Sequence, residues 1–557
     1  MKFLKFQTAC VLSLFCLIFI NPLAQSKKPV LVDITRESGI AGFKNVQGGT
    51  TKKHIIETMG GGAAFLDYDN DGNLDLLLVR GSTVEHFLHG GGDVVCALYR
   101  GDGHGHFQEV TATAGITARG WGMGVAVGDI DNDGREDIYI TCYGPNKLFH
   151  NMGDGKFEEI ARNAGLEDPR WSVGASFADV DHDGDLDLYV ANYLVYDLEN
   201  LPQRSAPCSY RGFDVFCGPR GLPGSRDALY INDGKGHFKD VSAERNIDPE
   251  SLYGMGTAIA DYDNDGWPDI FVANDLTPNL LYHNLGKGKF EEVGVSAGIA
   301  FDENGVEEGT MGGSFGDFNN DGWPDLYYTN SSYETNQLCV NNKNGTFSLK
   351  SYELGHGEST WLYVGWGNVF ADLDNDGWED IFVVNGHLYP EADRFDMGLK
   401  YRQHPLVFMN LQGRMFKESS ADWGPAVNQP ANSRGLAYGD IDHDGDLDLL
   451  INNQDGPPIL LRNDGGNRNH WLMVHCIGRT SNRLALGTRL IARIGTLQQT
   501  REIQAGQSYA STSDLRVHFG LGGASLVDEL EIRWPSGKVE KKVKLKSDQI
   551  LVVEEPD

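Results

Sequence analysis

Basic residues are scarce in this 557-residue chain: 47 Lys and Arg stand against 79 Asp and Glu, a formal charge of -32. Phosphate backbones are gripped by clustered Lys and Arg, so the balance argues against nucleic acid as a partner. Cysteine is sparse too, with eight in the chain, and neither a CxxC nor a Cys/His spacing suggests zinc. HExxH, a P-loop and a GxGxxG opening a helix are all missing, which removes the common signatures of zinc proteases and nucleotide binders. After residue 20 no apolar run is long enough to cross a bilayer.

The one long apolar run lies at the start, MKFLKFQTACVLSLFCLIFINPLAQ. Lys2 and Lys5 precede a stretch from Ala9 to Ile20 that is too short for a transmembrane span, so residues 1–25 read as an export signal, with an uncleaved anchor as the alternative. Phe15 before Cys16 does not make a convincing lipoprotein box. The expected destination is outside the cytoplasm: secreted, periplasmic or cell-surface. In such an oxidising compartment Cys208 and Cys217, in CSYRGFDVFCG, form the best disulfide candidate. Cys96, Cys142, Cys339 and Cys476 lie in strand-like runs and read as buried free thiols.

Aspartate and glycine are abundant, and they occur together. The pattern Asp-x-Asp/Asn-x-Asp-Gly-x-x-Asp recurs seven times, starting at Asp67, Asp129, Asp179, Asp261, Asp317, Asp372 and Asp440. Positions one, three, five and nine supply side-chain oxygens. They are Asp67, Asp69, Asp71 and Asp75; Asp129, Asp131, Asp133 and Asp137; Asp179, Asp181, Asp183 and Asp187; and Asp261, Asp263, Asp265 and Asp269. The last three sets are Asp317, Asn319, Asp321 and Asp325; Asp372, Asp374, Asp376 and Asp380; and Asp440, Asp442, Asp444 and Asp448. Oxygen donors in a flexible loop suit Ca2+ better than Mg2+ or a transition metal, giving about seven expected sites. The single amide, Asn319, lowers the ligand charge and predicts the fifth site to be the weakest. An EF-hand is excluded, because position twelve holds Leu78, Ile140, Val190, Val272, Tyr328, Val383 and Ile451 where a bidentate Glu is needed. The flanks are also strands, such as GMGVAVG before a loop and DIYITC after it.

Between the loops recurs a second unit, a strand, a Gly/Asn turn and a Phe-led strand, as in LFHNMGDGKFEEIARNAGL and LYHNLGKGKFEEVGVSAGI. Each repeat therefore holds about four strands, the content of a propeller blade. The last repeat ends at LLINNQDGPPILLRND without its Phe-led strand, and PVLVDITRESGI near the N-terminus supplies a matching one. The expectation is an all-β chain: a seven-bladed β-propeller with calcium-binding hairpin loops over residues 26–466, closed by its N-terminal strand. A small C-terminal β-sandwich is expected to follow over 467–557.

The repeats resemble the FG-GAP/VCBS repeats of integrin-α-like propellers. The stretch from Asn469, NHWLMVHCIGRTSNRLALGTRLIARIG through VDELEIRWPSGKVE, is similar to the ASPIC/UnbV domain. Leu484-Ala485 departs from that pattern at a turn. Together they resemble the cartilage acidic protein group, which implies an exported calcium-binding propeller without assigning an activity.

Function in such a scaffold is expected on loops that escape the repeat. Three insertions stand out: residues 193–226, FDENGVEEGTMGG before the fifth loop, and NGHLYPEADRFDMGLKYRQHP after the sixth. All are expected on the face opposite the Asp loops, or on its side. His387, Tyr389, Glu391, Asp393 and Arg394 make a candidate ligand face, unless these connections simply pack on one another. The reading is an extracellular binding or adhesion module for protein or polysaccharide. The alternative is an extracellular enzyme acting on carbohydrate from the same face, and a third is an accessory role in assembling a cell-surface or secondary-metabolite system. Arg100-Gly101-Asp102 falls in a hairpin turn shared with sister repeats and reads as a turn, not an adhesion ligand. Gly312–Gly316 matches GxSxG but lies in a strand, where no nucleophile elbow forms, and the Asn344 sequon is again a turn.

Overall fold

The computed structural model describes residues 28–200, 208–248, 250–394 and 398–557. The export signal expected over 1–25 lies outside the described residues, as do 201–207 of the first insertion. No helix among the described residues is long and apolar enough to cross a membrane.

The chain is all-β. Apolar, β-branched and aromatic runs bounded by Gly, Asn and Asp turns give short antiparallel strands, and the described residues form seven successive sheets of the repeat type. In the third sheet, for example, Ser172–Ala178 pairs with Asp187–Asn192, then Ala228–Asn232, then Phe238–Asp240. The first two strands are wholly buried because each sheet packs face to face between neighbours. The seventh sheet takes its outer strand from the N-terminus: Val30–Asp33 pairs antiparallel with Ile459–Asp464, Val30 opposite Asp464 and Asp33 opposite Leu461.

The seven first strands touch in cyclic order, and the last of them, Ser433–Gly439, touches the first, Ala63–Leu66. At the axis each carries a glycine: Gly62, Gly124, Gly174, Gly256, Gly312, Gly367 and Gly435. A Cβ on Gly256 would sit 2.4 Å from the Met311 carbonyl oxygen, and one on Gly435 2.4 Å from that of Gly61. Side chains are excluded there because backbone meets backbone. In five sheets the pairing shifts register across this glycine, between Gly254 and Thr257 for instance, a bulge that bends the strand at the axis.

The C-terminal strands form a three-stranded sheet, with His470–Ile477 between Val517–Gly522 and Ile550–Glu554, and a four-stranded one built on Arg489–Ile494 and Leu526–Arg533. Their apolar faces share a core of Leu472, Val474, Phe519, Leu490, Leu530 and Ile532. Ala485, in the turn that departs from the family pattern, takes φ 57°. Between the two sheets the chain leaves this core and runs along the axis of the repeat sheets. There Ser508 exchanges hydrogen bonds with Gly313 (2.8 and 3.1 Å), Val125 N donates to Ala510 O (3.1 Å) and Phe65 N to Thr512 O (3.1 Å). Ser508 Oγ accepts from Asn368 N, and Asp514 N donates to Tyr438 O. The segment thus satisfies the inner edges of strands from opposite sides of the ring, groups that would otherwise be buried without partners.

Candidate metal centre

Each Asp loop joins a first strand to a second, and the same hydrogen bonds recur in all seven, except that Asp325 Oδ2 in the fifth lacks the bond its counterparts make to residue two. The position-one carboxylate accepts from the backbone N–H groups of positions five and six, as Asp67 does from Asp71 (3.0 Å) and Gly72 (2.9 Å). Position five accepts from position seven, as Asp71 does from Asn73 (2.9 Å). Position nine is the strand's first residue: Asp75 Oδ2 accepts from Tyr68 N (3.1 Å) and Oδ1 from Gly101 N on the third strand (2.8 Å). Residue four adopts a left-handed conformation in every loop, with φ between 53° at Asn320 and 61° at Asn264, which suits Asn.

What the loop leaves over is a ligand atom. Buried Oδ1 atoms without a hydrogen-bond partner among the described residues occur at position three in five loops: Asp69, Asp131, Asp181, Asp374 and Asp442. A buried unpaired carboxylate oxygen is costly unless something cationic meets it. The oxygens of Asp67, Asp69 and Asp71, of Asp129, Asp131 and Asp133, and of Asp179, Asp181 and Asp187 approach within 4.8 Å of one another. Several of these acidic clusters could therefore hold a metal ion. Burial, with neighbouring carboxylates adding to it, pushes Asp67 up to about 6 and Asp129 and Asp179 up to about 7. A divalent cation would oppose both causes. The residues fit such an ion, which would supply charge neutralisation and rigidity.

The loops are not equal. Arg100 places Nε 2.7 Å from Asp69 and Nη2 2.8 Å from Asp71, so the arginine of the Arg-Gly-Asp triplet is engaged by the first loop. His150 meets Asp137 at 3.0 Å and His283 meets Asp269 at 3.2 Å, in the second and fourth. In the fifth, Asn319 Oδ1 is taken by Asp321 N (2.9 Å) and Lys343 stands 3.1 Å from Asp321. The equivalent strand positions of the third and sixth are the apolar Ile231 and Met409.

FG-GAP-like repeats match residues 67–140, 131–190, 213–272, 261–328 and 317–383, and an ASPIC and UnbV domain matches 478–557. The chain belongs to the FG-GAP-like repeat family. Cartilage acidic protein 1 of Xenopus tropicalis is 28% identical over 311 residues, covering 54% of this chain and 44% of that protein. The Homo sapiens protein of that name is 27% identical over 324 residues, covering 54% and 44%. The chain thus spans less than half the length of these curated relatives. Among solved structures, an Agrocybe aegerita lectin that recognises non-reducing terminal N-acetylglucosamine overlaps at TM-score 0.39 and 16% identity, covering 72% of this chain and 93% of that one. YCF48 bound to D1 peptide overlaps at TM-score 0.40 and 10% identity, covering 72% and 91%.

Two sets of residues escaped the sequence reading. One is the asparagine read there only as part of a turn. Asn232 N donates to Asp187 (3.0 Å), while its Nδ2 reaches Ile130 O (2.8 Å) of the preceding FG-GAP-like loop. Asn151, Asn284, Asn341, Asn410 and Asn463 repeat the contact. The other is residue four. Asn70 Nδ2 donates to Gly134 O, Asn132 to Gly184 O, Asn264 to Gly322 O, Asn320 to Gly377 O and Asn375 to Gly445 O, at 2.9–3.2 Å. His182 stacks on Trp267 at 4.1 Å, and His443 reaches Asn73, completing a belt around the rim. The recurrence of Asn at one loop position was the available signal.

The ASPIC and UnbV domain sits on this belt. Arg483 N donates to Asn132 Oδ1 (2.8 Å), Glu502 accepts from Asp261 N (3.3 Å), Asn469 Nδ2 donates to Asp374 O (2.8 Å) and Arg516 to Asp440 O (3.1 Å). Arg489 holds Asn264 and the Gly322 carbonyl, and Arg501 pairs with Glu379 at 2.9 Å.

At the opposite end the insertion carrying Tyr210 and Phe216 packs on the one carrying His387 and Tyr389, so the five candidate ligand residues divide between buried and exposed positions. His387 is 1% exposed and lies against Tyr210 and Tyr389. Burial, helped by Arg434, pushes its imidazole down to about 4. Tyr389 contacts Phe216 at 4.7 Å. Glu391 is half-buried, and Asp393 and Arg394 are exposed on a short 3-10 turn. Cys208 and Cys217 are joined as a disulfide that closes the hairpin Cys208–Tyr210/Phe213–Val215, with Cα atoms 5.1 Å apart. Cys96, Cys142, Cys339 and Cys476 are free and buried. Ser314, of the GxSxG match, is a buried strand residue whose hydroxyl donates to Asn368 O.

Proposed function

We propose that this chain is an exported, calcium-stabilised seven-bladed propeller acting as an extracellular binding module for protein or polysaccharide. The propeller occupies 26–466, and 467–557 forms a β-sandwich docked on its cation rim. The observation that carries the reading is the unpaired position-three oxygen, repeated in five loops whose position-one and position-five carboxylates all accept the same backbone N–H groups. Ca2+ is the cation of choice for such oxygen sets, and extracellular sites of this kind work at dissociation constants of about 10⁻⁴–10⁻³ M. The ion's part is structural: it fixes the loops that hold the belt and seat the second domain, and it stabilises the fold by linkage. Likeness to cartilage acidic protein 1 over half the chain supports a place outside the cell.

The test is to probe the mature protein on glycan and protein arrays, with calcium and with EDTA. Capture of a defined partner in calcium, without turnover of that partner, is the expected result. Turnover of a polysaccharide, or no partner in either condition, would overturn it.

A further inference from the structure

We infer that the second and fourth loops are mixed nitrogen–oxygen sites, which exchange calcium for a borderline divalent ion of the Zn2+, Co2+ or Ni2+ class. The inference goes beyond the structural role given to calcium above and rests on the loops being cation sites. On each third strand the bridging asparagine (Gly101 in the first sheet) donates its backbone N–H to the position-nine aspartate, so the strands share one register. The residue before it is Arg100, His150, Ile231, His283, Val340, Met409 and Arg462 in turn around the ring. Two loops that otherwise share the common pattern therefore carry an imidazole.

The second loop shows what the ring adds. His150 Nδ1 lies 3.0 Å from Asp137 Oδ1, and Nε2 faces Asp131 Oδ2 at 3.8 Å. Asp137 is 1% exposed and is fixed in turn by the N–H groups of Ile130 (2.9 Å) and Asn151 (2.7 Å). One ring nitrogen on a buried carboxylate, with the other turned towards a second oxygen, is the way proteins orient a metal-ligating histidine. Asp131 also belongs to the oxygen cluster of Asp129 and Asp133, so it joins that cluster to the imidazole. Its Oδ1 is buried without a partner among the described residues. Ligands held about 2.0–2.2 Å from one zinc-sized ion stand roughly 3–3.5 Å apart, and a small side-chain rotation closes the 3.8 Å gap to that spacing. In the fourth loop His283 Nδ1 lies 3.5 Å from Asp263 Oδ2 and 3.2 Å from Asp269 Oδ1, and the three groups come within 4.8 Å of one another.

The donor set decides the class of ion. Calcium takes oxygen ligands and gains nothing from a nitrogen, whereas ions of the zinc class bind imidazole and carboxylate together. In calcium alone both loops load through their aspartates, which keeps the total near seven. The third and sixth loops, with Ile231 and Met409 at the same register, offer oxygen only and should hold calcium against the competitor. Arg100 sets a positive charge 2.7 Å from Asp69 in the first loop and leaves no nitrogen lone pair there. A histidine that merely braces its strand predicts no exchange in any loop.

The experiment is titration of the full mature chain with Co2+ in excess calcium at fixed pH. Bound ions are counted by elemental analysis after gel filtration, and Co2+ is followed by its visible absorption. Two Co2+ per chain are expected, with the release of two Ca2+. His150→Gln and His283→Gln should each lose one Co2+ and the double variant both, while calcium bound in the absence of Co2+ stays at the wild-type count. Should the variants not fold, the wild-type chain loaded with Co2+ decides the point by its hyperfine-shifted imidazole proton resonances. Signals from two rings are expected, and none would overturn the proposal. Undiminished Co2+ uptake by the double variant, or a wild-type chain that keeps all its calcium, would overturn the nitrogen donors and leave the calcium reading standing. A chain that binds neither ion would remove both.

Discussion

Replacing Tyr509 by alanine tests whether the axial segment of the C-terminal domain is part of the propeller's core. Tyr509 is fully buried, meets Trp366 edge to face at 4.8 Å, and lies beside Ala510, whose carbonyl accepts from Val125. Truncating a buried aromatic costs about 3–5 kcal/mol, the spread reflecting how far the site collapses. Collapse is restricted here, because the surrounding glycine backbones are already in contact and Arg434 is pinned over Trp366 at 3.8 Å by hydrogen bonds to Thr58 O and Gln454. A loss of about 3–5 kcal/mol is therefore expected. Tyr509→Phe should cost much less, since the hydroxyl has no hydrogen-bond partner among the described residues. The assay is urea unfolding in calcium, followed by tryptophan fluorescence and far-UV circular dichroism. The two probes should shift together, because Trp366 belongs to the repeats and Tyr509 to the second domain. A loss below about 1 kcal/mol, outside the buried-aromatic range, or a separate early transition of the C-terminal domain, would refute the argument.

Three further outcomes follow from the same contacts. Gly256→Ala brings a Cβ within 2.4 Å of the Met311 carbonyl oxygen and should lower stability by about 1–3 kcal/mol or more, read as a fall in the urea midpoint. Asn319→Asp restores the fourth carboxylate of the fifth loop, so calorimetric titration should show its weakest calcium step tighten, with the other steps unchanged. Glu308 is held at about 8, raised first by burial and then by Glu334. The folded state therefore keeps a proton that the unfolded chain loses above about pH 4.5, and this contribution to stability is lost as pH rises from there through 8. Glu308→Gln should accordingly raise Tm at pH 8 and have little effect near pH 4.

Much of this was legible in the sequence because repetition exposes constraint. Seven copies of one acidic pattern could be compared with one another, and the same five-residue offset between the first Asp and the Gly marked the turn each time. The N-terminal strand was found by the same logic, as the piece missing from the last repeat, and Val30–Asp33 does pair with Ile459–Asp464. The rest depends on contacts between unlike segments. Nothing in AGQSYASTSD announces that Ser508, Ala510 and Thr512 will meet glycine-bearing strands hundreds of residues earlier. The belt could have been read from Asn at loop position four, but a left-handed turn explains that residue equally well until its amide is seen on the next loop's carbonyl. His387 and Tyr389 looked like a ligand face because polarity and aromaticity in a long loop look the same whether the loop meets solvent or another insertion. Tyr210 and Phe216 decide between them only in three dimensions.

The most direct test is elemental analysis of the purified mature protein, combined with calcium titration after chelation. Close to seven Ca2+ per chain, removable by EDTA with a large fall in Tm that calcium restores, is the predicted result. A chain that carries no calcium and melts at the same temperature in EDTA would contradict it.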